Sequence, residues 1–142
     1  MVAFTVKVTP QSLKSIPKEL AQKYSKNQKP AMAATVLQAQ TIIKKRTSAG
    51  VDVNGKAFAP YSNAYSAFRS KSGRSTTPDL MFSGRMMASM KATASSRRGV
   101  LFFSRAEESK KAAFNNRTRK FFDLSKKELE RLQNVYFKRL TK

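Results

Sequence analysis

Apolar residues at the start of the chain alternate with polar and small ones. This period of two over Val2–Val8 predicts a half-buried strand that ends at Pro10. The following stretch, Ser12–Lys26, is predicted to form a short helix that restarts at Pro17, because proline suits the first turn of a helix. The N-terminal region therefore predicts one strand and one short helix.

The longest helical pattern begins at Pro30 and runs to about Thr47. Its apolar residues recur every three or four positions, which places them on one face of a helix. That stripe comprises Met32, Val36, Ala39 and Ile43. The cations of Lys44–Arg46 suit the carboxyl end of a helix, and Gly50 is predicted to stop it.

A hairpin and a small helix are predicted in the second half of the chain. Ser83 is expected to cap a helix over Gly84–Met90. Two apolar-polar stretches, Lys91–Ser95 and Val100–Ser104, flank a short turn that carries two arginines. This arrangement predicts a β-hairpin with a basic tip.

Two helices are predicted after the hairpin. The first covers Glu107–Asn115, and the second follows a capping box formed by Ser125 and Glu128. The apolar residues of the last helix form one stripe, which comprises Leu129, Leu132, Tyr136 and Leu140. Together with the N-terminal strand, these elements predict one α+β domain over residues 1–142. In that domain a small, mostly antiparallel sheet packs against the long central helix and the C-terminal helix.

The stretch Val51–Pro78 has no clear hydrophobic period. It is rich in Gly, Pro, Ser and Asn, yet it holds four aromatic residues. We predict a long loop, mobile in the isolated subunit, because long aromatic-bearing loops in compact domains are usually functional or ordered by a partner.

The charge of the chain is strongly unbalanced. Its 29 Lys and Arg against 8 Asp and Glu give a net charge of +21 at pH 7. Such a chain repels itself, which predicts a negative partner: nucleic acid, an acidic protein or an anionic membrane. No apolar run reaches the length of a membrane span, and the alternating N-terminus is unlike a signal peptide. These features favour synthesis in a cytoplasm and no membrane partner.

The inventory of reactive side chains is small. The chain has no Cys and no His, which excludes disulfides, thiolate or imidazole metal sites and the His-dependent catalytic triads. The few carboxylates show no paired arrangement typical of acid–base catalysis. We therefore expect no enzymatic activity, no catalytic residues, no metal and no cofactor.

Three segments together resemble a family of tailed-bacteriophage proteins. The segments are Gly50–Ser62 (GVDVNGKAFAPYS), Asp79–Met86 (DLMFSGRM) and Arg119–Ser125 (RKFFDLS). Their order and spacing resemble those of the tail-completion family, also called virion morphogenesis or head–tail joining proteins. The resemblance extends from about Ala39 to Leu140.

The resemblance implies a structural protein of the virion neck or tail end, made in the cytoplasm of a bacterial host. It implies a homo-oligomeric ring, a hexamer or a dodecamer, that joins the capsid connector to the tail. The partners would be other copies of the chain, the connector or portal-side and tail proteins, and genomic DNA contacted without sequence preference. A basic nucleic-acid-binding protein, general or sequence-specific, is the alternative that composition leaves open.

Two sets of residues are candidates for these contacts. The candidate subunit or partner interface comprises Phe58, Pro60, Tyr61, Tyr65, Phe68, Arg85, Phe121 and Phe122. For Phe121 and Phe122 a core position stays open as well, because large apolar residues usually lie inside. The candidate basic residues facing DNA in the ring lumen are Arg97, Arg98, Arg69, Lys71 and Arg74. For Arg97 and Arg98 a solvated hairpin tip is the simpler alternative.

Overall fold

A computed structural model of the chain describes residues 5–9 and 18–142. Within these ranges the chain forms three strands and six helices. In chain order they are β1 (Thr5–Val8), α1 (Lys18–Lys23), α2 (Ser25–Ser48), α3 (Asn63–Lys71), α4 (Arg85–Ala88), β2 (Met90–Ala94), β3 (Gly99–Phe103), α5 (Ala106–Thr118) and α6 (Lys126–Leu140). The predicted first residues of the N-terminal strand and the predicted helix restart at Pro17 lie outside the described residues.

The three strands form one antiparallel sheet in the order β1-β3-β2. β2 and β3 are the two arms of the predicted hairpin, with Met90 opposite Phe103 and Ala94 opposite Gly99. β1 pairs with the other edge of β3, where Val6 lies opposite Leu101. The α+β prediction is therefore confirmed, and each hairpin strand begins one residue earlier than the pattern predicted.

Helix α2 covers one face of the sheet and also packs against α6. The predicted stripe is confirmed, since Met32, Val36, Ala39 and Ile43 are all buried. α2 approaches the sheet closely at Gly99, where an added Cβ would lie 2.8 Å from the Cβ of Val36. A residue without a side chain at this strand position lets helix and sheet come together.

Helix α6 begins and packs as predicted. The Ser125 side chain accepts a hydrogen bond from the Glu128 backbone, and the Glu128 carboxylate accepts one from the Ser125 backbone, which completes the capping box. Leu132, Tyr136 and Leu140 are buried against the rest of the core. The same Glu128 forms an ion pair with Arg46 at the end of α2, which ties the two helices together.

The prediction that Pro30 opens the long helix is wrong. α2 begins five residues earlier, at Ser25, and Pro30 lies inside it. A proline near the start of a helix removes one backbone hydrogen bond, a cost that tertiary contacts can offset. One such contact is the Asn27 side-chain amide, which donates to the Leu140 carbonyl at 2.9 Å.

The prediction of a structureless loop over Val51–Pro78 is also wrong. It contains helix α3, which Ser62 caps by accepting a hydrogen bond from the Tyr65 backbone. Before it, Phe58 is buried in the main core. Gly50 is confirmed as the stop of α2 by its φ of 72°, and an added Cβ there would lie 2.9 Å from the Pro78 carbonyl oxygen. Both ends of the stretch are thus held by the body of the domain.

Two other helices differ from their predicted bounds. α4 is a single turn that ends at Ala88, and its N-cap is Gly84 with a φ of 74° in place of the predicted Ser83. Ser83 contributes only a long hydrogen bond of 3.4 Å from the Arg85 backbone. α5 extends past the predicted limits at both ends. No helix in the described ranges combines the length and the apolar character needed to cross a membrane.

Candidate functional site

An open groove of about 470 Å³ lies between α3 and α5, with the segment that precedes α4 along its base. α3 supplies Tyr65, Phe68 and Arg69, and α5 supplies Phe114. The full lining is Tyr61, Ser62, Tyr65, Phe68, Arg69, Leu80, Phe82, Ser83, Gly84, Met86, Glu108, Lys111, Phe114, Asn115 and Arg119. We call it the aromatic groove.

Exposed apolar side chains concentrate at the aromatic groove. Six large hydrophobic residues are exposed among the described residues, and four of them line the groove: Tyr65, Phe68, Phe82 and Phe114. Phe114 is the most open, with 70% of its surface exposed. Met81 and Leu37 are the two outside the lining. Clustered exposure of this kind is typical of an interaction surface, whereas single exposed residues are ordinary.

The rings along one wall of the groove are ordered against each other. Tyr61 meets Tyr65 edge to face at 4.9 Å between ring centroids. Phe68 then stacks on Tyr65 at 6.1 Å and on Phe82 at 5.6 Å. Aromatic pairs at such distances favour defined geometries, so these rings form a preorganised wall.

Arg69 lies beneath this wall and organises it. Its side chain is only 1% exposed. Nε donates to the Ser75 carbonyl at 2.6 Å, Nη2 donates to the Asp79 carboxylate at 3.0 Å, and the guanidinium lies 4.9 Å from the Tyr61 ring centroid. The structure therefore corrects the assignment of Arg69 to an exposed DNA-facing surface. Its positive charge is paired with the Asp79 carboxylate inside the subunit.

The electrostatics of Arg69 support a permanent charge. Burial lowers the pKa of its guanidinium, but its interactions with Tyr65, Tyr61 and Asp79 raise the pKa above its ordinary value overall. A guanidinium stays protonated at any physiological pH. The Asp79 carboxylate also accepts the Met81 backbone N–H at 2.9 Å, so this one acid holds both Arg69 and the turn that carries Phe82.

Arg119 closes the groove at its other end. Its Nε donates to the Ala59 carbonyl at 2.9 Å and an Nη donates to the Pro60 carbonyl at 3.0 Å. Its guanidinium lies 4.9 Å from the ring centroid of Tyr61. The Tyr61 hydroxyl in turn accepts the Leu80 backbone N–H at 3.2 Å.

These contacts bring the three resembling segments to one place. Arg119 of the third segment holds Ala59 and Pro60 of the first, and Tyr61 of the first holds Leu80 of the second. Leu80 adopts a φ of 57°, a left-handed conformation that costs energy for a side chain with a Cβ. Strain of this kind persists where surrounding contacts specify the local structure.

The predicted interface residues divide between the groove and the core. Phe58, Phe121 and Phe122 are buried, with Phe58 only 6% exposed. Their side chains pack within the subunit, where Phe122 lies 4.8 Å from Phe103 between ring centroids. This corrects the assignment of Phe58 to a surface, whereas Phe121 and Phe122 take the core position that their size favours.

The remaining interface candidates lie at or near the surface. Tyr61, Tyr65 and Phe68 line the aromatic groove, and Pro60 is exposed directly before it. Arg85 is exposed but lines a different pocket. The interface role of these residues stays a prediction.

The other basic candidates are exposed. Arg97 and Arg98 lie at the hairpin tip, where their backbone N–H groups donate to the Ser95 hydroxyl at 3.3 and 3.1 Å. Lys71 ends α3 in solvent, and Arg74 lies over the Phe82 ring at 5.6 Å from its centroid. Arg74 therefore contacts one ring of the aromatic groove without lining the groove itself.

Sequence inspection missed three residues that matter here. Phe82 and Phe114 supply groove surface, and no spacing in the sequence marks them: Phe82 follows the apolar pair Leu80-Met81, and Phe114 follows two alanines. For Arg46 the sequence predicts only a favourable interaction of its charge with the carboxyl end of the helix. In the structure it donates to the Phe121 and Asp123 carbonyls at 2.6 and 2.9 Å, besides its ion pair with Glu128.

The acidic residues in the described ranges are dispersed or paired with cations. No group of three or more acidic residues that could hold a metal ion occurs in the described ranges. Three of the carboxylates are engaged in ion pairs, Glu108 with Lys111, Asp79 with Arg69 and Glu128 with Arg46. The absence of enzymatic activity stays a prediction.

Comparisons with known proteins add no relative. The chain matches no protein-family model, and it has no significant match among curated proteins or solved structures. Its function is therefore inferred from its own residues and their arrangement.

Proposed function

We propose that the chain is a structural protein of the head–tail interface of a tailed bacteriophage, a neck, tail-completion or tail-terminator subunit. Several copies form a ring that joins the capsid connector to the tail and lets DNA pass. The observation that carries the proposal is the convergence of the three resembling segments on one exposed groove. The protein is made in the bacterial cytoplasm and ends in the virion.

The aromatic groove supplies the contact that such a ring requires. Four of the six exposed large apolar residues in the described ranges line it, and its rings are ordered before any partner arrives. A preorganised apolar surface loses little conformational entropy on binding, which favours assembly. Head-to-tail contacts between two different surfaces close into a ring when the rotation between copies allows it.

Native mass spectrometry with a groove variant tests this role. Phe68→Ser with Phe82→Ser removes two exposed stacked rings, and Leu37→Ser removes an equally exposed apolar residue outside the groove as the matched control. We expect closed oligomers, six or twelve copies, for the wild type and the control, and monomers for the groove variant. Circular dichroism would establish that all three chains are folded.

Two outcomes would contradict the proposal. A wild type that stays monomeric at all accessible concentrations would remove the ring. An oligomer that survives in the groove variant but is lost in Leu37→Ser would place the contact on α2 instead. Phe58→Ala would not serve as a groove variant, because Phe58 is buried and its loss would destabilise the fold.

A general or sequence-specific nucleic-acid-binding protein is the second candidate, favoured by the net charge of +21. The two functions differ in how they treat DNA. A ring through which DNA slides needs contacts to phosphates alone, so its binding should be equal for unrelated sequences and weakened strongly by salt. A preference for one sequence that survives as salt is raised would favour the second candidate.

A further inference from the structure

A second pocket of about 460 Å³ lies where α4 leads into β2 and β3 leads into α5. It is lined by Arg85, Ala88, Ser89, Lys91, Ser104 and Arg105. The Ser104 backbone N–H donates to the Ser89 carbonyl at 2.8 Å, which holds the two chain segments that form its walls together. We call it the basic pocket.

Three cations meet in this pocket without a counter-charge. Arg85, Lys91 and Arg105 are exposed, and none of them forms an ion pair or a side-chain hydrogen bond among the described residues. No carboxylate lines the pocket. Glu107 is the nearest acidic residue in sequence, and it is exposed outside the lining. Uncompensated cations in a concave site raise the local concentration of anions.

The basic pocket continues into the hairpin. β2 is an edge strand of the sheet, and it runs from Lys91 beside the pocket to the turn that carries Arg97 and Arg98. The whole stretch between Asp79 and Glu107 contains no acidic residue. At about 3.3 Å per residue, a strand of this length covers roughly 16 Å. Phosphates in one DNA strand are about 3.4 Å apart along the axis, so a linear polyanion could meet both groups of cations.

We propose that the basic pocket binds a backbone phosphate of nucleic acid, while Arg97 and Arg98 contact phosphates further along the same molecule. Guanidinium groups match the oxygens of a phosphate in pairs, and the Ser104 hydroxyl adds a neutral donor. Ala88 is the only apolar residue in the lining, so the pocket offers no apolar anchor for a lipid surface or a hydrophobic peptide. This inference deepens the proposed function, because it rests on a ring through which DNA passes.

Equilibrium binding to a fluorescein-labelled 30-base-pair duplex, measured by anisotropy over a series of KCl concentrations, tests the proposal. The test variant is Arg85→Ala with Lys91→Ala and Arg105→Ala. The matched control is Arg117→Ala with Lys138→Ala and Arg139→Ala, which removes the same charge from exposed positions on α5 and α6. Thermal melting would confirm that both variants are folded.

We expect the pocket variant to bind DNA at least about tenfold more weakly and the control to change little. Each phosphate contact contributes about 0.9 to the slope of log affinity against log salt, so losing the one phosphate held in the pocket should lower that slope by about 0.9. Equal losses in the two variants would show that binding follows total charge and would overturn the proposal.

A parallel measurement with polyglutamate in place of DNA distinguishes an acidic protein from nucleic acid as the ligand of the pocket. Loss of polyglutamate binding in the pocket variant, with DNA binding intact, would assign the pocket to an acidic protein and overturn the proposal. The ring itself is tested separately by native mass spectrometry. A monomeric wild type whose pocket variant still loses DNA would remove the ring and leave the phosphate site in place.

Discussion

At the scale of single residues, the buried Arg69 and the half-buried Arg46 show how a strongly basic chain can use cations as structural parts. Arg69 is enclosed by rings, a carbonyl and one carboxylate, and Arg46 joins Glu128 to two backbone carbonyls. A guanidinium has five donors in a fixed plane, so one side chain can hold several acceptors from distant segments. Two of the few acidic residues, Glu128 and Asp79, form the ion pairs with these arginines.

Tyr136 presents the opposite case, a buried polar group without a partner. Its hydroxyl forms no hydrogen bond in the described structure, and burial raises the pKa of that hydroxyl above its ordinary value of 10.0. We expect Tyr136→Phe to raise the free energy of unfolding by about 1 kcal/mol, because an unsatisfied buried group is removed without leaving a cavity. Urea denaturation at pH 7 measures this.

The pH dependence of Tyr136 has a defined sign. Above its ordinary pKa the unfolded chain loses the tyrosine proton, while the folded chain keeps it until the raised pKa is reached. The wild type should therefore lose stability as the pH rises through that window, and Tyr136→Phe should lose less. Denaturation curves for both chains between about pH 8 and about pH 11, a range that brackets the ordinary tyrosine pKa, measure the difference. Parallel curves would contradict the burial of this hydroxyl.

At the scale of elements, the contact between α2 and the hairpin sets the thickness of the core. Gly99 begins β3 at the point where α2 comes closest, and the Met32 sulfur and the Val36 side chain lie over it. Interiors are close-packed, so there is no room for an added methyl group without movement. The contact between α2 and β3 therefore fixes the position of the hairpin and of the basic pocket beside it.

Gly99→Ala tests the contact. We expect a loss of about 1–3 kcal/mol in the free energy of unfolding, because the new Cβ would lie 2.8 Å from that of Val36. An alanine in a strand without such a clash would instead stabilise slightly. In a Val36→Ala background the loss should shrink, and a double-mutant cycle by urea denaturation measures the coupling. Additive effects would show that the helix and the strand do not meet there.

At the scale of the whole molecule, charge works against the fold of the isolated subunit. The net charge is +21, and the described structure contains three ion pairs. Most cations therefore repel each other across the surface. Assembly next to DNA or acidic proteins would relieve this repulsion, which links the stability of the subunit to its proposed place in the virion.

Salt should consequently stabilise the monomeric subunit. The Debye length falls from about 30 Å at 0.01 M to about 8 Å at 0.15 M ionic strength, so distant repulsions are screened. We expect Tm to rise by roughly 3–6 °C between these conditions, which corresponds to on the order of 1 kcal/mol for a domain of this size. Circular dichroism melting in NaCl, with glucose at matched osmolality as the control, measures it. A Tm that falls with salt would mean that attractive pairs dominate.

Local patterns in the sequence determined most of the elements. The alternation of β1, the stripe of α2 and the capping box of α6 each depend on neighbours within a few residues, so they could be predicted without a fold. The hairpin was predicted to within one residue at the start of each strand for the same reason. An antiparallel sheet packed by α2 and α6 is the arrangement that buries the apolar faces of these elements, so the fold class could be predicted from them.

The tertiary structure alone decided what the aromatic and basic residues do. Phe58 and Phe68 lie ten positions apart in one aperiodic stretch, yet one is buried and the other exposed. Arg69 became a buried organiser because Asp79 and the Tyr61 ring surround it, contacts that no spacing in the sequence specifies. The groove joins segments about sixty residues apart through Arg119. Local propensity acts over one or two turns, whereas burial is set by which distant surfaces come to lie against each other.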